Sequence, residues 1–461
     1  MTETPASRSG LILSVNAGSS SLKISLFRLQ FSLSSVPQPR GLTKEPVELL
    51  VESSISNITA PPAIFSFKFT LAAQKTGKEA KKEPVDSIHD HASAFAHFLD
   101  YLKQEASIDR SQIVHVCHRV VHGGDFLEPV TITTESYDHL ERLTDLAPLH
   151  NGAALSVIKS CIDALPDANA IAYFDTSFHR PIPHYISYYA INPEIAKKRG
   201  LKKYGFHGLS YAYILRTASA WLQKPPEDTN LLVMHLGSGA SVCAIRKGKS
   251  FDTSMGLTPL TGLPGATRSG GVDPSLIFHY TNRAGRITHD KSQAVNVHVT
   301  LAEDILNKRS GWKAITGTTD FGEITRQMKA VAAKYGDGYD GVPEEERKWK
   351  MAFDIFTDRV CDFVGAYYLK LEGVVDAVVF SGGIGEHSVE LRKVVVDRMK
   401  CLGFALDLEK NSDVEKVDGE VVEIGATTDD GHRVLVCRTD EQLEMARECA
   451  LDDRFWLPNS H

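Results

Sequence analysis

Two hydrophobic periods divide the chain. The first third alternates or runs apolar in short stretches: residues 11–16 (LILSVN) and 22–29 (LKISLFRL) flank a Gly-Ser loop and predict two strands. Residues 64–71 (IFSFKFTL) put Phe65, Phe67, Phe69 and Leu71 on one face and Ser66, Lys68 and Thr70 on the other, the pattern of a strand with one wet face. Pro37, Pro39, Pro61 and Pro62 punctuate loops. Helical spacing predicts a helix over 90–103, through Phe95, Phe98, Leu99 and Leu102. It returns over 344–372, where Trp349, Ala352, Phe353, Phe356, Val360, Phe363, Val364, Tyr367 and Leu371 recur at three and four and predict one long amphipathic helix. A buried-type strand at 374–380 (VVDAVVF), a glycine-rich loop (SGGIGEHS) and a helix from about 389 to 402 follow. Strand, glycine loop, helix is how α/β proteins bring a phosphate to a helix N-terminus.

The elements repeat. LILSVNAGSSSLKISLF and LLVMHLGSGASVCAI share one plan of strand, Gly-Ser loop and strand, with Gly18 and Ser19 standing 219 positions before Gly237 and Ser238. QIVHVCHRVVHGG (112–124) and VDAVVFSGGIG (375–385) both run from an apolar strand into paired glycines. The expectation is two similar halves with a cleft between them, which suits 461 residues when a domain holds roughly 100–200. FDTS also occurs twice, at 174–177 and 251–254, but 77 positions apart, so it adds nothing to the duplication.

Charge narrows the ligand class. The net charge of −7 gives no general attraction for nucleic acid or an anionic membrane, so any anion must be held by local groups. The basic segment KTGKEAKKEP (75–84) has no aromatic among its lysines and reads as a solvated turn. No apolar run approaches the roughly 18–20 residues that span a bilayer, and the N-terminus lacks the apolar core of a signal peptide. The seven cysteines are scattered and contain no C-x-x-C. A cytoplasmic protein with reduced thiols, no nucleic-acid partner and no membrane partner is expected.

Three loops could cradle phosphates. NAGSSSLK (16–23) gathers hydroxyls, a permissive glycine and Lys23; HLGSGAS (235–241) and SGGIGE (381–386) follow apolar strands in the same way. The first loop lacks the Walker A order, and Gly383-Ile-Gly385-Glu-His-Ser lacks the last glycine of G-x-G-x-x-G. HRVVHGG (118–124) places Arg119 between two histidines at a strand end, without the glutamate of H-E-x-x-H. His89, Asp90 and His91 read as a surface helix start with Asp90 as cap. Asp175 follows an apolar strand in FDTSFH, His207 stands between glycines in GFHG, and Arg268 lies in the loop GATRSGG, where a guanidinium is the usual partner of carboxylate or phosphate.

Taken together these stretches resemble the acetate kinase family. VNAGSSSLK, HRVVHGG, APLHN (147–151), FDTSFH, KYGFHG (203–208), MHLGSGAS, DTSMGLTPL (252–260) with TRSG (267–270), FSGGIGE and RTDEQL (438–443) occur in the family's order over nearly the whole chain. The resemblance implies an α/β fold of two actin-like, ribonuclease H-like domains of duplicated βββαβα type. These would be residues 1–178 with a returning helix at 438–461, and nucleotide-binding residues 179–437, with the active site in the cleft between. It implies a homodimer and the reaction of ATP with acetate to give ADP and acetyl phosphate, with Mg²⁺ (or Mn²⁺). By the same resemblance Arg119 holds the carboxylate, and Arg268 and His207 stabilise the phosphoryl group in flight. Asp175 is either an acid/base or an organiser of the metal's waters, and Asn16 and Glu441 place the metal. Val121, Leu149, Phe206 and Pro259 would form the acyl pocket, and His150 would also bind the substrate. Ser19, Ser21, Lys23, His235, Leu236, Gly237, Ser238, Gly239, Asp320, Gly382, Gly383, Ile384, Gly385 and Glu386 would hold the nucleotide.

The departures from the family pattern lie mainly toward the nucleotide. Ser238 stands for the usual Asn, Tyr211 for the last His of G-F-H-G-T-S-H, His387 for the Asn of G-G-I-G-E-N, and Asp440 for the Asn of N-E-E-L. TGLPGA (261–266) replaces E-G-L-M-M-G, and SGWKAITGTTDFG (310–322) ends D-F-G where the family has D-F-R. The expected donor is ATP with pyrophosphate as the alternative. Propionate or butyrate is the alternative acceptor, and a non-catalytic, nucleotide-gated module of actin type is the reading from another class.

Overall fold

The computed structural model describes residues 8–30, 45–70, 77–143, 148–280, 287–289, 298–427 and 431–456. The chain forms two compact units: residues 1–175, 289–298 and 440–461 make one, and 176–288 with 299–439 the other.

The first unit is built on a sheet of β1 (Leu11–Ala17), β2 (Ser21–Leu29), β3 (Val47–Ser56), β4 (Ala63–Phe69), β5 (Ala80–Val85), β6 (Ile113–Val120), β7 (Val130–Thr131) and β8 (Asn169–Phe174), ordered β5-β4-β3-β2-β1-β6-β8-β7. β1 to β5 form an antiparallel meander, and β1, β6 and β8 run parallel. Position in the sheet explains the sequence pattern. Central β1 is covered on both faces and buries Ile12, Leu13, Ser14 and Val15 in succession, whereas β4 alternates buried Phe65, Phe67 and Phe69 with exposed Lys68. The phenylalanines pack on helix His91–Ala106 through Phe95 and Phe98. Helices Thr134–Leu143 and Pro148–Ala164 lie in the connection that returns the chain to β8, as parallel neighbours require.

Two expectations change here. Ala80–Val85, read as part of a solvated turn, is the edge strand β5. Its exposed Lys81, Lys82 and Pro84 are what an edge carries to prevent further pairing, and they hide its strand character. Asp90 caps its helix through the Ser93 N–H, as expected, but His91 is fully buried instead of at the surface.

The second unit repeats the plan. β9 (Leu231–Leu236), β10 (Ala240–Arg246) and β11 (Lys249–Thr253) are antiparallel, while β14 (Ala377–Ser381) and β16 (Arg433–Cys437) run parallel to β9. The order is β11-β10-β9-β14-β16-β15, with β15 (Val421–Glu423) at the edge; β12 (Ile287–His289) and β13 (His298–Thr300) form a separate two-stranded sheet among the described residues. The series β3-β2-β1-β6-β8 and β11-β10-β9-β14-β16 are thus equivalent, and the two Gly-Ser loops join equivalent strands. Asp175 follows β8 while Asp252 lies within β11, so the two FDTS copies are not equivalent. The long amphipathic helix spans Glu344–Lys370 and buries Ala352, Phe353, Phe356, Val360, Val364 and Tyr367 at helical spacing against Trp312 and Phe321. SGGIGEH is itself helical: Gly382–His387 forms a short turn of helix before Val389–Arg398. Helix Glu441–Leu451, capped by the Asp440 carboxylate on the N–H groups of Gln442 and Leu443, belongs to the first unit.

Candidate active site

In the first unit, chemistry collects where parallel strands end. Asn16 is near the end of β1, Arg119 near the end of β6 and Asp175 directly after β8. Neighbouring strands lie about 4.8 Å apart, so the carboxyl ends of three adjacent parallel strands bring these side chains together. Glu441 joins them from the first turn of the final helix. Arg119 grips Asp175 with two donors, Nη2 to Oδ2 at 2.6 Å and Nε to Oδ1 at 3.2 Å. Its Nη1 donates to Asn16 Oδ1 at 3.3 Å, its Nε lies 3.4 Å from Glu441 Oε2, and Asn16 Nδ2 donates to the same Glu441 oxygen at 3.2 Å. Burial opposes the charge on Arg119, but Asp175 and Glu441 outweigh it and hold the guanidinium above its ordinary pKa. Arg119 is therefore a permanent cation in a fixed orientation.

The adjacent loop is held from below. His91 Nε2 donates to the Gly18 carbonyl at 2.9 Å, and Gly18 N–H donates to the Ser21 carbonyl at 2.9 Å. Ser19 and Lys23 are exposed, and Lys23 pairs across the strands with Asn16. Val121 is half-buried just past β6. The side chains of Leu149 and His150 lie outside the described residues. Their neighbour Asn151 is buried and clasps the backbone of His122 from both sides, Oδ1 accepting at 3.0 Å and Nδ2 donating at 2.9 Å. Asn151 and His91 are positioning residues that sequence reasoning passed over. Asn151 stood in a quoted motif; His91, read as surface, gave no signal at all.

In the second unit, the β9–β10 loop meets Arg268. A Cβ on Gly239 would stand 1.8 Å from Arg268 Nη2, so only glycine leaves room for that guanidinium, which donates through Nη1 to the buried Pro259 carbonyl at 3.2 Å. His207 precedes helix Gly208–Trp221 with φ of 61°, and its ring stacks on His235 at 4.2 Å between centroids. His207 Nδ1 is 2.8 Å from Ser241 Oγ, and His235 Nδ1 is 2.7 Å from Ser210 Oγ. Phe206 is buried and its carbonyl accepts from His179 Nε2 at 2.9 Å; burial lowers His179 to about 4, so it is a neutral donor at physiological pH. Glu386 turns inward, its Oε1 accepting from the N–H groups of Gly382 at 2.9 Å and Thr439 at 3.3 Å. Burial raises its pKa while those bonds oppose the rise. Glu386 thus shapes the Gly382–Gly385 turn from behind. Asp320 caps the helix Phe321–Tyr335 through Gly322 N–H at 2.8 Å.

Between that cap and the glycine turn lies a cavity of about 600 Å³, walled by Ser238, Trp312, Asp320, Phe321, Gly383 and Ile384, with Arg326, Lys329 and His387 also on its lining. The site residues therefore fall into two groups. Arg119, Asp175, Asn16 and Glu441 are joined in the first unit; His207 and Arg268, the His235–Gly239 loop and the Gly382–Gly385 turn belong to the second.

The protein-family model described as the acetokinase family matches residues 11–447. A relative named probable acetate kinase from Emericella nidulans is 48% identical over 442 residues, covering 95% of this chain and 97% of its own. Among solved structures, a propionate kinase from Francisella tularensis superposes with a TM-score of 0.76 at 32% identity, covering 95% of this chain and 98% of its own. An acetate kinase from Porphyromonas gingivalis gives 0.73 at 29%, with the same coverage.

Proposed function

The chain belongs to the acetokinase family, and from that premise we propose that it transfers the γ-phosphoryl group of ATP reversibly to acetate, giving acetyl phosphate and ADP. The observation that carries the reading is Arg268 laid over Gly239 at the tip of a phosphate-type loop, with His207 in the same unit. Acetate is already ionised at neutral pH and needs no base. A carboxylate oxygen forms the new bond to the γ-phosphorus as the bond from that phosphorus to the β–γ bridging oxygen breaks, and the electron pair leaves on ADP. The obstacle is anion meeting anion, so catalysis falls to positioning and positive charge. Arg119, pre-aimed by Asp175, orients the acetate; Arg268 and His207 take the charge on the moving phosphoryl group; Lys23 and the glycine turns hold the remaining phosphates.

Asn16 and Glu441 offer oxygen donors suited to a hard cation. Magnesium is commonly held by one or two protein ligands with water and phosphate, so these two side chains would suffice for it. Bound there, magnesium would neutralise phosphate charge. The cavity favours ATP over pyrophosphate as donor: about 600 Å³ lined in part by Trp312, Phe321 and Ile384 suits a nucleoside and exceeds the need of an inorganic anion.

Trapping with hydroxylamine tests the acceptor. Purified protein with ATP, Mg²⁺ and acetate should yield acetyl hydroxamate. Propionate should react more slowly, since one methylene is worth about 1–3 kcal/mol in an apolar pocket. Absence of any acyl hydroxamate would sink the reading.

A further inference from the structure

Tyr211 stands one turn along the helix that His207 opens, and it is fully buried. Its ring is held by Phe178, stacked at 6.1 Å between centroids, and by the edge of His179 at 5.5 Å. Its hydroxyl lies 2.5 Å from Ser241 Oγ, and the same Ser241 oxygen lies 2.8 Å from His207 Nδ1. Three residues from one helix start and one strand thus form a chain ending on the imidazole.

The direction of that chain follows from counting protons. A buried phenol has one proton to donate and must find an acceptor. Among the described residues Tyr211 Oη meets Ser241 Oγ and the backbone of His235, and the His235 bond favours the phenolate, which makes it an N–H donor. Ser241 Oγ is the acceptor that remains for the Tyr211 proton. Ser241 can then either accept a second bond or give its own single proton to His207 Nδ1; giving it leaves no hydroxyl proton of the chain unused, and Nδ1 accepts. A neutral His207 with Nδ1 accepting carries its proton on Nε2. With the ring plane held by stacking on His235, the opposite tautomer would turn a lone pair where a donor is needed.

We propose that Tyr211, acting through Ser241, is a positioning residue that keeps the proton of neutral His207 on Nε2 as a hydrogen-bond donor for the transferred phosphoryl group. This rests on the phosphoryl role assigned to His207 above. It also gives the hydroxyl of Tyr211 a use: a residue placed there only to fill the core would serve equally well as phenylalanine.

The test uses full-length protein carrying ¹⁵N-labelled histidine, with His207 assigned by its loss in His207→Ala. Long-range proton–nitrogen spectra should show His207 as the Nε2–H tautomer in the parent and a shift toward Nδ1–H in Tyr211→Phe. In the hydroxamate assay Tyr211→Phe should lose kcat by about tenfold, the low end of what an outer partner of a catalytic group is worth. KM for ATP and acetate should stay within about twofold, since the lost interaction acts in the transition state. Ser241→Ala should give the same tautomer shift. In the His207→Ala background Tyr211→Phe should cost nothing further. An unchanged tautomer and normal kcat in both hydroxyl variants, beside an impaired His207→Ala, overturns the proposal and leaves the role of His207 standing. Normal kcat in His207→Ala overturns that role and the proposal with it.

Discussion

The two Gly-Ser loops, 16–23 and 235–241, join equivalent strands of equivalent sheets, yet they serve different surroundings. The first sits beside a saturated ionic cluster in which Arg119 already faces Asp175 and Glu441. The second is cut back to glycine so that the Arg268 guanidinium can lie against its backbone. Duplication supplied the address in both units. What distinguishes them is brought by other elements: the ends of β6 and β8 and the final helix in one, the 265–271 loop and the His207 helix start in the other. Catalytic charge should accordingly be separable from structural charge.

The largest contrast is expected from removing each arginine's support or the arginine itself. Arg268→Ala should lower kcat by about 10³-fold or more, the scale of an arginine that stabilises phosphoryl transfer, with the thermal midpoint unchanged. Near-normal turnover would break the comparison. Asp175→Ala should cost stability as well as the aim of Arg119, because it leaves the largely buried guanidinium with its longer contacts to Glu441 and Asn16; urea unfolding should show a loss on the order of 1–3 kcal/mol. Unchanged stability would mean that the first cluster is not held together by its charges. Next comes the loop. Gly239→Ala should displace Arg268 and cost on the order of 10²-fold in kcat, the effect of misplacing a reacting group by about 1 Å. Gly237→Ala should leave Arg268 in place and spare kcat, since a Cβ there would stand 3.4 Å from its nearest protein atom, the Gly239 carbonyl; its effect should fall on KM for ATP. Equal effects would remove the reason given for the glycine.

The smallest effect concerns pH. Burial lowers His179 to about 4, below its unfolded value of about 6.5. The stability it contributes by staying neutral is complete above the unfolded pKa and is lost as pH falls through that window. Between pH 7 and 5.5 the loss should be about 1 kcal/mol. A His179→Gln variant should flatten that part of the stability profile, and an unaltered slope would assign the pH dependence elsewhere.

Much of this was legible because it is local. Phe65, Phe67 and Phe69 announced β4, the apolar spacing of Glu344–Lys370 announced its helix, and strand ends carrying Arg119 and Asp175 announced where charged side chains gather. What stayed hidden depends on contacts across the chain. The His91–Gly18, Asn151–His122 and Tyr211–Ser241 bonds join residues 73, 29 and 30 positions apart, and no period or spacing encodes them. The edge strand Ala80–Val85 was masked by the charges that protect it. The cavity near Asp320 was invisible too, because its walls come from three separate segments that only the folded second unit brings together.

The central claim is that a cation fixed over a glycine loop acts on a nucleotide donor. It is tested most directly by measuring acetyl hydroxamate formation from acetate and Mg²⁺ with ATP and with pyrophosphate in parallel. Robust product with ATP and little or none with pyrophosphate is the predicted result; turnover with pyrophosphate alone would contradict it.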